Sequence, residues 1–156
     1  MKKIKLKNDV FALADDDTEI PEKWHLDSGG YVIRLTSRND LNDSGRRKII
    51  FLHRLIMNAK NGEIVDHING DKLDNRRSNL RIVNKSQNAI NSKIRIDNKS
   101  GFKGVYFDKR NKKWCAEIRL NKKKKFLGYF SNVLNAAEKY KKASLLLHGE
   151  FSCFNK

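Results

Sequence analysis

Apolar positions in the first fifty residues come in short runs separated by polar turns. Val10–Ala14, Trp24–Leu26, Tyr31–Leu35 and Ile49–Leu52 predict strands, and Asp27-Ser28-Gly29-Gly30 predicts a hairpin-type turn. Phe51-Leu52-His53-Arg54-Leu55-Ile56-Met57 then predicts a short buried helix or helical turn, ended by Asn61-Gly62. An apolar strand follows, Ile64-Val65-Asp66-His67-Ile68, stopped by Asn69-Gly70. A loop rich in Asp, Asn and Arg runs to Asn79, a second strand covers Leu80-Arg81-Ile82-Val83, and a helix is expected from about Ser86 to Ser92, capped by Ser86 or Asn84.

Residues 93–101 are polar and end in Asn98-Lys99-Ser100-Gly101, which reads as a linker. Beyond it the pattern alternates over Lys103–Phe107, Trp114–Leu120 and Lys124–Phe130, predicting three strands. In the middle one Trp114, Ala116, Ile118 and Leu120 share a face, leaving Lys113, Cys115, Glu117 and Arg119 on the other. Val133, Ala137, Tyr140, Ser144 and Leu147 then fall on one side of a helix, widened by Ala136, Ala143 and Leu146, with Gly149 as its stop. That helix is expected to cover one face of the small sheet and leave the other face free.

Charge separates the two halves. Lys and Arg number 34 against 18 Asp and Glu, a net charge of +16. Residues 1–92 carry 17 basic and 13 acidic side chains and residues 93–156 carry 17 and 5, so the excess lies in the C-terminal half. A polyanionic partner is implied, double-stranded DNA first. No apolar run approaches the roughly 20 residues of a membrane crossing and no signal peptide opens the chain, so a protein without a membrane partner is expected. Its expected place is the cytoplasm of a bacterial or phage-infected cell. Cys115 and Cys153 lack zinc-finger spacing and read as buried free thiols. Asp15-Asp16-Asp17 reads as a solvated loop or a helix start rather than a metal site.

Asp66-His67 at a strand end is the first candidate for chemistry, although the dipeptide alone fits a surface acid beside a half-buried histidine equally well. Asn79 lies twelve residues past His67 and Asn88 nine beyond Asn79, intervals that bring the chain back by strand and helix. Here the sequence resembles the HNH nucleases, in particular the phage and intron homing endonucleases, over roughly residues 1–92. The resemblance is carried by Leu52-His53-Arg54-Leu55, Val65-Asp66-His67-Ile68-Asn69-Gly70-Asp71, Asp74-Asn75-Arg76-Arg77, Asn79-Leu80-Arg81 and Gln87-Asn88. It implies a ββα-metal core at about 63–92, His67 as general base, and Asp66 and Asn88 as ligands of one divalent cation. Asn79 would brace the loop that orients His67. His53 recurs in the pattern as a catalytic or supporting residue. Where many members carry histidine this chain has Asn88, which favours Mg²⁺, with Mn²⁺ as alternative, over Zn²⁺; Asn91 is a competing ligand. His25 and His148 read as structural.

Residues 100–155 resemble the AP2 DNA-binding domain, assigned to 102–156, through Gly101-Phe102-Lys103-Gly104-Val105, Trp114-Cys115-Ala116-Glu117-Ile118-Arg119, Leu127-Gly128-Tyr129-Phe130, Ala136-Ala137, Gly149-Glu150-Phe151 and Asn155. The resemblance implies a three-stranded antiparallel sheet on one helix. Lys103, Glu117 and Arg119 are candidates for base reading. Tyr106 and Phe126 are candidates for sugar or thymine-methyl contact, and Arg110 and Lys124, the latter in the basic run Lys122–Lys125, for phosphate contact. The expected fold is α+β: an HNH domain over 1–92 with a small β-rich lead-in, a linker, and the AP2-type domain. The expected function is a site-directed DNA endonuclease acting as a monomer or weak dimer. The alternatives are a non-catalytic DNA-binding regulator on a retained HNH scaffold and, behind it, an RNA-binding protein.

Overall fold

The computed structural model describes residues 1–21, 23–92, 94–120 and 123–152. Its architecture is mixed α and β, and the described residues form four small antiparallel sheets, three α-helices and three short 3-10 helices. They fall into two compact units, Met1–Asn84 and Lys85–Lys156.

In the first unit β1 (Lys2–Lys5) and β2 (Phe11–Ala14) form a hairpin, β3 (His25–Leu26), β4 (Val32–Leu35) and β5 (Ile49–Phe51) a meander, and β6 (Ile64–His67) and β7 (Leu80–Val83) a two-stranded ribbon. Helix α1 (Leu52–Ile56) follows β5 directly. Leu6, Ala12, Trp24, Val32 and Leu52 make the core, with Leu73 of the loop between β6 and β7 packed against it. Trp24 is the core residue its size predicts, and its indole N–H donates to Pro21 O at 2.6 Å. Two strands of this size bury too little apolar surface to stand alone. The hairpin gains support by pairing outward: Leu13 N–H donates to Leu73 O at 2.8 Å and Asn75 N–H donates to Leu13 O at 2.9 Å. The loop between β6 and β7 thereby runs beside β2 in parallel.

Asp15-Asp16-Asp17 forms a turn with no helix. Arg77 Nη1 reaches Asp17 at 2.8 Å and Asp15 at 3.5 Å, while the Arg77 N–H donates to Asp15 Oδ2 at 2.9 Å. The acidic run thus fastens the far side of the same loop.

The second unit begins with α2 (Lys85–Asn91), ahead of the boundary that composition suggested at 92. Its tie to this unit is visible at Lys103, whose ammonium donates to Ile90 O at 2.5 Å and Ser92 O at 2.7 Å and so satisfies carbonyls at the helix end. Strands β8 (Val105–Asp108), β9 (Lys113–Leu120) and β10 (Lys123–Phe130) make one sheet in the order β10-β9-β8. Helix α3 (Val133–His148) packs on one face through Val133, Ala136, Ala137, Tyr140, Ala143 and Leu147. Leu146 does not widen that stripe: it is 85% exposed. Gly149, φ 53°, closes the helix where the sequence placed its stop.

On the opposite sheet face, alternation places Tyr106, Cys115, Glu117, Arg119, Lys124 and Phe126 together. Cys115 is nevertheless buried, because Tyr106 and Tyr129 oppose it from the flanking strands. It is a free thiol; Cys153, Asn155 and Lys122 lie outside the described residues.

Candidate active site

Strand β6 ends on His67 because Asn69-Gly70 turns the chain: Gly70 N–H donates to His67 O at 2.9 Å, with Gly70 at φ 76°. Adjacent residues of a strand point to opposite faces, and Asp66 and His67 have separate surroundings. Asp66 lies opposite Arg81 on β7. Arg81 Nη2 and Nε lie 3.0 and 3.1 Å from Asp66 Oδ2, with both side chains little exposed, at 13% for Arg81 and 11% for Asp66.

His67 is 5% exposed and sits among aromatic rings. The His53 ring is 5.1 Å away, edge to face, and the Tyr31 ring is 6.2 Å away. Tyr31 also lies 5.3 Å from His53, and Lys72 Nζ stands 3.9 Å over the Tyr31 ring. His53 arrives from α1, whose Arg54 donates to the carbonyls of Lys60 (2.8 Å) and Glu63 and so fixes the approach to β6.

Burial moves both imidazoles away from the charged form. His53 is lowered to about 4, by burial first and then by the positive potentials of His67 and Arg54. His67 is also lowered by burial, against the opposing pull of Asn75 and the carboxylates of Asp66, Asp71 and Asp74. Both rings are neutral at pH 7, the state in which a histidine can accept a proton. His53 Nδ1 is buried with no hydrogen-bond partner among the described residues.

The loop between the strands is braced from within. Asn79 Oδ1 accepts from Asn69 N–H at 3.0 Å and Asn79 Nδ2 donates to Asp74 O at 2.7 Å. Asp74 takes two guanidinium bonds from Arg76, each 2.7 Å, which hold its carboxyl below the usual range. Asn75 is fully buried and brings Oδ1 to 3.4 Å from His67 Nε2.

Residues 51–90 match the HNH endonuclease family. The HNH segment therefore contains His53, Asp66, His67, Asn75, Asn79, Arg81 and Asn88. A protein of Acanthamoeba polyphaga mimivirus described as an uncharacterized HNH endonuclease is 34% identical over 86 residues, covering 53% of this chain and 42% of that protein. Protein 3.8 of Escherichia phage T7 is 32% identical over 71 residues, covering 42% of this chain and 59% of its own. The chain thus spans about half the length of these curated relatives. No solved structure matches it significantly.

The first unit brings Asp66, His67, Asn79 and His53 onto adjoining elements. Asn88 and Asn91 lie on α2 in the second unit, Asn88 exposed and Asn91 buried. Glu117 pairs with Phe126 and Arg119 with Lys124 across β9 and β10, and Tyr106 joins them from β8. Lys124 is bridged to Glu117 at 3.3 Å. Arg110 is exposed in the turn between β8 and β9, whereas Lys103 precedes β8 and is engaged at the end of α2.

The sequence alone assigns no role to Arg81, Asn75, Tyr31 or Lys72. Arg81 follows Asp66 by fifteen residues, and only the strand register sets the two side chains opposite each other. No helix among the described residues is long and apolar enough to cross a membrane.

Proposed function

We propose that this chain is a site-directed DNA endonuclease of homing type, with an HNH centre that hydrolyses a phosphodiester and an AP2-type unit that holds double-stranded DNA. The observation that carries the reading is His67: a nearly buried imidazole kept neutral, fixed at the end of β6 within the segment that matches HNH endonucleases. In the reaction His67 takes a proton from a water whose oxygen bonds to phosphorus as the P–O3′ bond breaks, and the departing 3′ oxygen is protonated from solvent. Asn79 keeps the loop, and with it the imidazole, in place. His53 supports the ring from the side.

The donor chemistry fits a hard divalent cation. Among the described residues no group of three or more His, Cys, Asp or Glu is arranged to hold a metal; the donors that the resemblance to HNH nucleases implies are the Asp66 carboxylate and the Asn88 amide oxygen. Two oxygen donors, completed by water and phosphate, suit Mg²⁺ and, next, Mn²⁺. Such an ion would supply charge stabilisation at the pentacovalent phosphate.

For the second unit, support comes from the open sheet face carrying Tyr106, Glu117, Arg119, Lys124 and Phe126 and from the basic excess of this half. Arg110 adds phosphate contact at one end, and Lys103 does so only by leaving α2. A single catalytic centre per chain cuts one strand per binding event unless two copies assemble.

One observation favours a second reading, a DNA-binding regulator that does not cut: Asp66 is already neutralised by Arg81. Supercoiled plasmid incubated with the protein and Mg²⁺, with and without EDTA, separates the two. Relaxation that needs the metal and disappears in His67→Ala supports the nuclease. A gel shift with no relaxation under any condition supports the regulator.

A further inference from the structure

Asn75 is completely buried, and its backbone N–H and side-chain amide are all engaged. The N–H donates to Leu13 O on β2 at 2.9 Å. The side-chain nitrogen donates to two backbone carbonyls, Lys72 O at 3.2 Å and Leu73 O at 3.1 Å. Carbonyl oxygens only accept, so the amide cannot be turned over: its oxygen would then face two oxygens in a dry site. Oδ1 is therefore the atom directed at His67 Nε2, 3.4 Å away.

An amide oxygen cannot donate either. If Nε2 bore a lone pair, two acceptors would be pressed together without water between them, and the length of the contact does not alter that sign. Protonated Nε2 turns the repulsion into a hydrogen bond. A neutral imidazole with its proton on Nε2 carries its accepting lone pair on Nδ1.

We propose that Asn75 is a positioning residue that fixes His67 as the Nε2–H tautomer, so that Nδ1 is the atom that takes the proton from the attacking water. The catalytic consequence rests on the reading of His67 as the base; the tautomer does not. During transfer the Nε2–H bond to Asn75 stays in place and the new proton bonds to Nδ1, so no second proton has to move. Because Asn75 is tied to Leu13, the N-terminal hairpin takes part in orienting His67.

The test is ¹⁵N NMR of the imidazoles in the metal-free 156-residue protein at a pH where His67 is neutral, its signals assigned by comparison with His67→Gln. The expected result is a protonated-type Nε2 and a lone-pair-type Nδ1. The reverse pattern, or a mixture of both tautomers, overturns the proposal. Asn75→Leu is expected to lose the preference and to lower kcat by about 10- to 100-fold at unchanged KM for DNA. An Asn75→Leu spectrum like that of the parent removes Asn75 from the role. Should Asn75→Leu fail to fold, the parent spectrum still decides. A protein with the expected tautomer but no plasmid cleavage would refute the nuclease reading and leave the tautomer assignment intact.

Discussion

Asp66 and Arg81 face each other across β6 and β7, with two guanidinium nitrogens at 3.0 and 3.1 Å from a single carboxylate oxygen. In a little-exposed setting such a pair offsets the desolvation of each partner, and removing one leaves the other uncompensated. A divalent cation held by Asp66 would compete for the same carboxylate charge. Arg81→Met should therefore lower metal-free stability by about 2 kcal/mol, and Mg²⁺ should restore more of the melting temperature in the variant than it adds to the parent protein. Equal Mg²⁺ shifts in thermal melts of the two would show that Asp66 does not bind the ion.

Acid should weaken the first unit through His53. Its folded-state value of about 4 lies below the usual one near 6.5, so between those pH values the unfolded chain binds a proton that the folded chain refuses. Stability from this group is full above pH 6.5, falls as the pH drops towards 4, and falls no further below it. The loss amounts to about 3 kcal/mol. Denaturant unfolding at pH 7 and pH 4.5 should show His53→Phe losing distinctly less stability than the parent. Parallel losses would mean that the ring is not held neutral.

Gly104 bears on the second unit. With φ at 69°, a Cβ there would sit 2.0 Å from Tyr140 Cε2 and 2.5 Å from Glu117 O. The left-handed backbone and the backbone clash act together, and Gly104→Ala should cost about 3 kcal/mol or more. Its denaturation curve would show an early transition, accompanied by loss of DNA retention in a gel shift. An unchanged curve would mean that Tyr140 does not pack over this turn.

On the open sheet face, Arg119→Ala should reduce the preference for a cognate site over random DNA. Lys124→Ala should weaken binding to all sequences and reduce the salt slope by about 1. Filter binding at several salt concentrations measures both. The same loss on cognate and random DNA for both variants would dissolve the distinction between base reading and phosphate contact.

The elements that the sequence reveals are those with a local signature. Leu80–Val83 and the helix through Tyr140 and Leu147 announce themselves by apolar period, and Asn69-Gly70 marks the end of β6 by turn chemistry. Lys2–Lys5, by contrast, looks like a solvated basic stretch and is a strand only because β2 pairs with it. The pairing of Leu13 with Leu73 and Asn75 joins residues about sixty positions apart and leaves no periodic trace. The same holds within the site. Asp66 and His67 are legible as chemistry-bearing residues, but the partner of each is fixed by register and by loop packing. The helix 85–91 shows the limit from another side: composition assigns it to the stretch before the linker, while Lys103 ties its end to the sheet-bearing unit.

The strand Phe11–Ala14 lies forty residues ahead of the stretch that matches HNH endonucleases, yet it lends that stretch backbone donors and acceptors at Leu13. Trimming the protein to the matching stretch would remove the wall against which its loop is set. The folded setting of the matching stretch is therefore longer than the stretch itself, and an engineered fusion that discards the leading hairpin would carry every expected side chain of that stretch while losing the backbone partners of its loop.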